Sequence, residues 1–181
     1  MGGRNDLAHV VVDGWGPLAQ ELTAQLRRCL VEVRGGSHAA DGAEIALDAD
    51  AVPPAVVVVV AQGRAPGWAG SPWQARGIPH LPLVLTGRSV VVGPLVVPGR
   101  TACLGCARSA WSGSDVGGPD TPGGGLVLAA AVATVTALAV LRGDHSLGGI
   151  STEIGLDEVA VTHRLWRPRP GCGCSRVRMA G

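Results

Sequence analysis

Aliphatic and β-branched runs alternate with polar, glycine-containing connections through the first half of the chain. Ala8 to Asp13 (AHVVVD) is predicted as a buried strand by its β-branched run. A helix is predicted from Leu18 to about Arg28, with Pro17 in its first turn, where the missing N–H is no loss. Cys29 to Arg34 (CLVEVR) supplies a second strand. Gly35 to Pro54 reads as a polar connection, with Asp41, Glu44, Asp48 and Asp50 in a solvated loop. Pro53 to Val60 (PPAVVVVV) is unbroken by polar residues, as a central parallel strand covered on both faces is. Gln62 to Gly77 reads as a loop with room for a short helix, Pro72-Trp73-Gln74 forming a capped turn. Leu81 to Leu85 and Ser89 to Val92, joined at Gly87-Arg88, read as a hairpin or two adjoining strands.

The second half is patterned differently. Val96 to Gly99 leads into a pair of cysteines, and Ala107 to Gly125 is rich in Ser, Gly, Asp and Pro, the composition of a mobile loop, with Trp111 as its one large apolar group. Leu126 to Leu141 (LVLAAAVATVTALAVL) is almost uniformly apolar. At 16 residues, with no aromatic anchors, it is short of the about 20 that a spanning helix needs, so a helix buried on all sides is expected and no membrane association. Ser151 to Ile154 and Glu158 to Trp166 read as a closing hairpin turning at Gly155, with Arg164, Arg167 and Arg169 as a basic rim.

Strand, G-x-G-x-x-A, helix, strand is the opening of a Rossmann-type unit. The fold class expected is therefore α/β, Rossmann-like, with a mostly parallel sheet and an appended C-terminal hairpin. One domain over residues 1–181 is expected, residues 1–77 forming a reduced Rossmann-like half and 78–181 a cysteine-bearing half. Gly14 and Gly16 are the candidate nucleotide-contacting residues. Asp13 beside the phosphate nest and the bulk of Trp15 argue against binding, and a lone G-x-G also serves close strand–helix packing.

Composition changes this picture at two points. The chain has 181 residues, no Phe and no Tyr, so its core must be built from Val, Leu and Ala. All 15 basic residues are Arg, so no lysine is available as a phosphate clamp or Schiff-base nucleophile. A net charge of +1 gives no general attraction to nucleic acid or anionic membrane. The polar start, Met1 to Asp6, is not a secretory signal, so a cytoplasmic location is expected.

Four of the five cysteines form C-x-x-C (Cys103, Cys106) and C-x-C (Cys172, Cys174), with Gly105 and Gly173 placed where a Cβ is expected to crowd a turn around a metal. Tetrahedral zinc takes two thiolates from one tight turn and two from a distant pair, and a reducing compartment favours metal over disulfide. Two buried thiol pairs, or disulfides in an exported chain, are the alternatives. Cys29 is expected to be a buried small apolar residue. His9, His38, His80, His145 and His163 share no spacing; His80, at a strand start, is expected to be a satisfied structural histidine.

The order of hydrophobic strand, G-P-L-V-V-P-G (Gly93 to Gly99), C-x-x-C, apolar helix and W-R-P-R-P-G-C-G-C (Trp166 to Cys174) resembles the ThiF-type proteins related to ubiquitin-activating enzymes. The resemblance is to the branch encoded beside azole-forming bacterial peptide-modifying enzymes. Val10 to Leu26, Ile78 to Cys106 and Trp166 to Cys174 carry it. The family holds ATP with an arginine, a polar residue, a lysine and a magnesium-binding aspartate after the second strand; this chain has no lysine and no matching segment. The amino-terminal winged-helix peptide-binding domain of larger relatives is expected to be missing too, since the first strand is read from about residue 8. The resemblance implies a truncated, zinc-stabilised, non-catalytic scaffold that presents a precursor peptide to a separate modifying enzyme, with a homodimer in keeping with the family and Ala107 to Gly125 as the crossover that meets a substrate tail. The alternatives are an ATP-dependent adenylating enzyme or, with Arg34 accepting a 2′-phosphate, a small NADP-binding reductase.

Overall fold

The computed structural model describes residues 8–49, 51–63, 71–107, 123–156 and 160–176. The first strand, β1 (His9–Asp13), ends at Gly14, and helix α1 (Pro17–Arg28) follows with Pro17 in its opening turn. Leu18, Leu22 and Leu26 recur along one side of α1 and are buried. A strand β2 (Glu32–Gly36), a helix α2 (Ala39–Asp48) and a strand β3 (Val56–Gln62) complete the first half, and a five-residue helix α3 (Ser71–Ala75) leads to β4 (His80–Leu85). Strand β5 (Ser89–Val92), helix α4 (Gly123–Leu141), β6 (Ile150–Gly155) and β7 (Val161–Leu165) follow, and a 3-10 turn spans Gly173–Arg176.

All seven strands join one sheet in the order β2-β1-β3-β4-β5-β6-β7. Pairings from β2 through β4 are parallel, and those from β4 through β7 are antiparallel. The sheet is therefore evenly mixed rather than mostly parallel. The reason is the tight turn at Gly87-Arg88, across which the Thr86 N–H donates to the Ser89 carbonyl at 2.8 Å: a two-residue reversal can only return the chain antiparallel, and no helix intervenes to carry it back. Strand order reverses at β1, which lies between β2 and β3, and this places the β1–α1 turn at a switch point where open α/β sheets form a crevice.

Three layers result. On one face α1 and α4 cover Val10, Val12, Val56, Val58, Leu83 and Val92. On the other, α2 packs Ala39, Ala40, Ala43 and Leu47 over Val11, Val57 and Val59, with Trp73 of α3 filling the gap. The same face farther along the sheet carries Val84 and Val91 against Val96, Ala102, Trp166 and the cysteines.

Two further expectations are corrected here. The polar connection after β2 is a helix, because Ala39, Ala43 and Leu47 fall four apart and form a narrow apolar stripe among acidic residues. Its first turn is anchored by Asp13, whose carboxylate accepts from the Ala40 N–H at 3.1 Å. Helix α4 is longer than the apolar run and is not buried on all sides. Gly123–Leu141 makes 19 residues of mean hydropathy 2.3, long and apolar enough to cross a bilayer, and half of it is buried against α1 and the sheet. Val127, Leu128 and Val135 are exposed on its outer side.

Candidate metal centre

The segment after β5 folds back across the sheet. Val96 bridges to His80, with N–H···O distances of 3.0 and 2.9 Å in the two directions, and Leu95 bridges to Gly148. Thr101 closes the next turn: its Oγ1 accepts from the Val97 N–H at 2.9 Å. This delivers Cys103, from which a tight turn brings Cys106 back, its N–H donating to the Cys103 carbonyl at 2.9 Å. The second pair arrives from β7. Trp166 is buried and donates its Nε1–H to Ser151 Oγ at 2.8 Å, which pins the strand's end beneath the first turn. Arg169 then spans the two segments: its N–H points at Cys106 Sγ at 3.3 Å and its guanidinium donates to the Gly105 carbonyl at 2.7 Å.

The four sulfurs Cys103, Cys106, Cys172 and Cys174 lie within 4.8 Å of one another. Neighbouring sulfurs are 3.8 Å (Cys103–Cys106), 3.7 Å (Cys103–Cys172) and 3.8 Å (Cys106–Cys174) apart. A regular tetrahedron with a Zn–S bond of about 2.3 Å has edges of about 3.8 Å, so the separations suit a four-thiolate zinc site. A disulfide needs about 2.05 Å, and all four cysteines are free. The donor set fits a thiophilic metal ion, and its closed geometry leaves no position for a reacting water.

Without metal the thiols compete for protons. Burial pushes the Cys174 thiol up to about 12 and also raises Cys103. Burial pushes Cys106 up as well, but the Arg169 N–H and the neighbouring thiols of Cys172, Cys174 and Cys103 outweigh it and hold Cys106 at about 7. Metal binding replaces those protons with one shared cation. The glycines between the cysteines do not have the crowding role expected of them. A Cβ at Gly105 meets nothing nearer than Cys103 Sγ at 3.6 Å, and one at Gly173 meets nothing within 4 Å. The turn's left-handed residue is instead Gly171, at φ 78°.

Gly14 and Gly16 occupy a second place, at the opening of α1. Gly14 has φ 129° and lies so close to β3 that an added Cβ stands 2.6 Å from the Val60 carbonyl oxygen. Gly16 has φ 90° and caps α1. A cavity of about 460 Å3 opens beside them, lined by Trp15, Gln20, Thr23, Arg27, Gly36 and Ser37 among others. Asp13 does not line it; the alternation of β1 turns its carboxylate toward α2, and burial there raises its pKa. Trp15 forms part of the wall and is exposed. Arg34 is not in the wall either and pairs with Glu32 at 3.4 Å.

Other candidates fall elsewhere. Cys29 is exposed at the end of α1, not buried: the chain reverses through Leu30 at φ 60°, which carries both residues out of the core. His80 is buried, and its Nδ1 is 3.0 Å from the Ile78 carbonyl oxygen, but its Nε2 has no partner, so it is not fully satisfied. Trp111 and the rest of 108–122 lie outside the described residues. A cluster that sequence reasoning missed is Arg76 held by Glu44 at 3.2 Å and Asp48 at 2.8 Å. The i, i+4 spacing of the two acids was the available signal.

No family model matches the chain, and no curated protein matches it. Solved structures do match. The E. coli protein MccB superposes with a TM-score of 0.63 at 15% identity over 96% of this chain and 66% of its own. A heterocyclase solved in complex with substrate and cofactor gives 0.66 at 16% identity over 93% of this chain and 25% of its own. The heterocyclase TruD gives 0.62 at 15% identity over 93% and 27%. The chain thus spans about two thirds of MccB and about a quarter of the heterocyclases, and shares with them the α/β fold that these superpositions cover.

Proposed function

We propose that this chain is a ThiF-like, Rossmann-type domain that binds one structural zinc and acts as a non-catalytic partner in the biosynthesis of a ribosomally made, azole-modified peptide. Its task in this reading is to present the precursor peptide to a separate ATP-using enzyme. The observation that carries the proposal is a division within one shared fold. The four-cysteine centre is complete, while among the described residues the cavity at Gly14 and Gly16 has a single charged lining side chain, Arg27. Adenylation needs a phosphate nest, cationic clamps and a carboxylate for magnesium, and among the described residues that cavity offers no carboxylate.

The structural neighbours support the biosynthetic setting. They include heterocyclases, and MccB solved with MccA and with ATP. The glycine cavity gives the competing reading, an adenylating enzyme, its one specific support. Pyrophosphate exchange with ATP and a precursor peptide separates the two. The expected outcome is no exchange by the chain alone and a raised rate when it is added to the cyclodehydratase it serves. Peptide-dependent exchange that disappears in Gly16→Val overturns the non-catalytic reading.

A further inference from the structure

Strand β7 is the outermost strand of the sheet, and all five of its residues are exposed. Its inner edge is paired with β6 in a fixed phase: Gly155 N–H donates to the Ala160 carbonyl at 2.9 Å and Trp166 N–H to the Gly149 carbonyl at 2.8 Å. The antiparallel alternation then turns the backbone N–H and C=O of Thr162 and Arg164 inward, and those of Val161, His163 and Leu165 outward. Among the described residues nothing pairs with that outer row. An open edge of this kind is a template for an added strand, and proteins that do not use one tend to cover it or break it. Here it carries no proline and no bulge.

The two faces beside the edge differ in chemistry. Val161, His163 and Leu165 share the face that α4 covers only partly, because α4 crosses β5 and β6 and stops short of β7. A groove of about 510 Å3 remains there, walled by Val92, Val132, Val135 and Ile150 with His163 at its rim. Its walls are apolar, and Val161 and Leu165 are 46% and 60% exposed beside it. On the opposite face Arg164 lies 4.0 Å over the Trp166 ring. From residue 160 to 176 the chain has four arginines and no acidic residue.

Charge decides between the occupants an open edge could take. A second copy adding at β7 would bring the Arg164 rows of two chains side by side, and like charges facing across strands are destabilising; the acid nearest on that face, Glu153 of β6, is taken up by Ser89, whose Oγ–H donates to it at 2.9 Å. An acidic peptide meets the opposite sign. We propose that the outer edge of β7 receives an extended acidic peptide segment as an eighth strand, with alternate apolar side chains entering the groove beside α4 and carboxylates facing Arg164. This rests on the peptide-presenting reading and gives it a location. Main-chain hydrogen bonds supply the affinity, and the groove and the arginine supply selectivity by side-chain alternation.

The test uses the full metal-loaded chain and a fluorescein-labelled synthetic peptide of alternating glutamate and valine, read by anisotropy and by amide hydrogen exchange. The expected result is slowed exchange at Val161, His163 and Leu165, with Thr162 and Arg164 unchanged because they are already paired. A probe N-methylated on the residues facing the strand should bind about tenfold more weakly or worse, since each lost backbone bond is worth roughly a three- to tenfold change. Arg164→Glu and Leu165→Glu, both at exposed positions, should each weaken binding about tenfold while metal content and circular dichroism stay unchanged. Binding indifferent to N-methylation and charge reversal overturns the proposal. So does slowed exchange that appears without peptide as protein concentration rises, which assigns the edge to a second copy. If the Glu variants still raise the partner enzyme's rate fully, the edge assignment fails and the presenting reading survives. If the probe adds at β7 and no partner's rate changes, the assignment stands and the presenting reading fails.

Discussion

The parallel half of the sheet, with its glycine cavity, and the antiparallel half, with its cysteines, are built on opposite principles. At β1–α1 the backbone makes the shape: two left-handed glycines, a helix N-terminus and a cavity, with few charged side chains inside. At the C-terminal half the side chains make the site: four sulfurs at ligand spacing, brought together by a turn, a tryptophan anchor and an arginine strap. Backbone shape is shared by every protein of a fold, whereas a donor set is particular to a function. The cysteine centre is therefore the stronger statement about what this chain requires, and the glycine cavity the weaker one.

The largest expected effect follows from removing the metal. Chelation, or Cys172→Ser, should unfold or loosen the junction between the first cysteine turn and the end of β7, at a cost on the order of several kcal/mol. Elemental analysis should find one zinc per reduced chain, and the Ser variant should lose it together with a large part of its melting temperature. An unchanged melting temperature would remove the contrast between the two halves.

Next comes Gly14→Ala. With an added Cβ 2.6 Å from the Val60 oxygen and φ at 129°, it should cost about 2–4 kcal/mol in urea denaturation. Gly16→Ala, whose nearest neighbour is Gln62 Nε2 at 3.8 Å, bears only the backbone strain and should cost about 1 kcal/mol. That ordering marks Gly14 as a packing glycine. The reverse ordering would give Gly16 a structural importance that the geometry denies it.

Much of this is legible in the sequence. The cysteine spacing was readable because metal geometry is local in each pair and demands only that the pairs meet. The valine runs of β1 and β3 were readable because strands covered on both faces need no polar positions. What could not be read was anything that depended on a partner remote in sequence. Helix α2 looks like a solvated loop until β1, β3 and Trp73 supply the surface for its alanine stripe. Asp13 looks like an obstacle to phosphate until Ala40 is seen to take it. Cys29, with Leu26 a turn before it and Leu30 after it, looks buried until the positive φ of Leu30 turns the chain outward.

His80 links the two halves, since its backbone bridges to Val96 on the way to the cysteines. Burial holds its imidazole down at about 4, while the unfolded chain titrates near 6.5. Between those values the unfolded state binds more protons, so stability rises with pH and is lost as pH falls from about 6.5 to about 4, by roughly 3 kcal/mol in all. In zinc-saturated protein compared at pH 7.5 and 5.5, the wild type should lose about 1 kcal/mol more than His80→Met. Equal losses would show that the buried ring is reached by solvent.

The smallest effect belongs to the ion pairs of Arg76, which tie α2 to the turn after α3 at 3.2 Å (Glu44) and 2.8 Å (Asp48). The guanidinium is partly exposed and Asp48 largely so, and exposed pairs are screened by water and salt. Helix α2 already has two stronger ties, the apolar stripe beneath it and the Asp13 carboxylate on its first turn. Arg76→Met keeps most of the aliphatic length and removes the charge, so it should lower the melting temperature by less than the His80 effect. The difference from wild type should shrink as salt is raised toward 1 M, where the screening length falls to about 3 Å. A loss that persists at high salt would mean that Arg76 acts by packing, and that α2 depends on its solvent side as much as on the sheet.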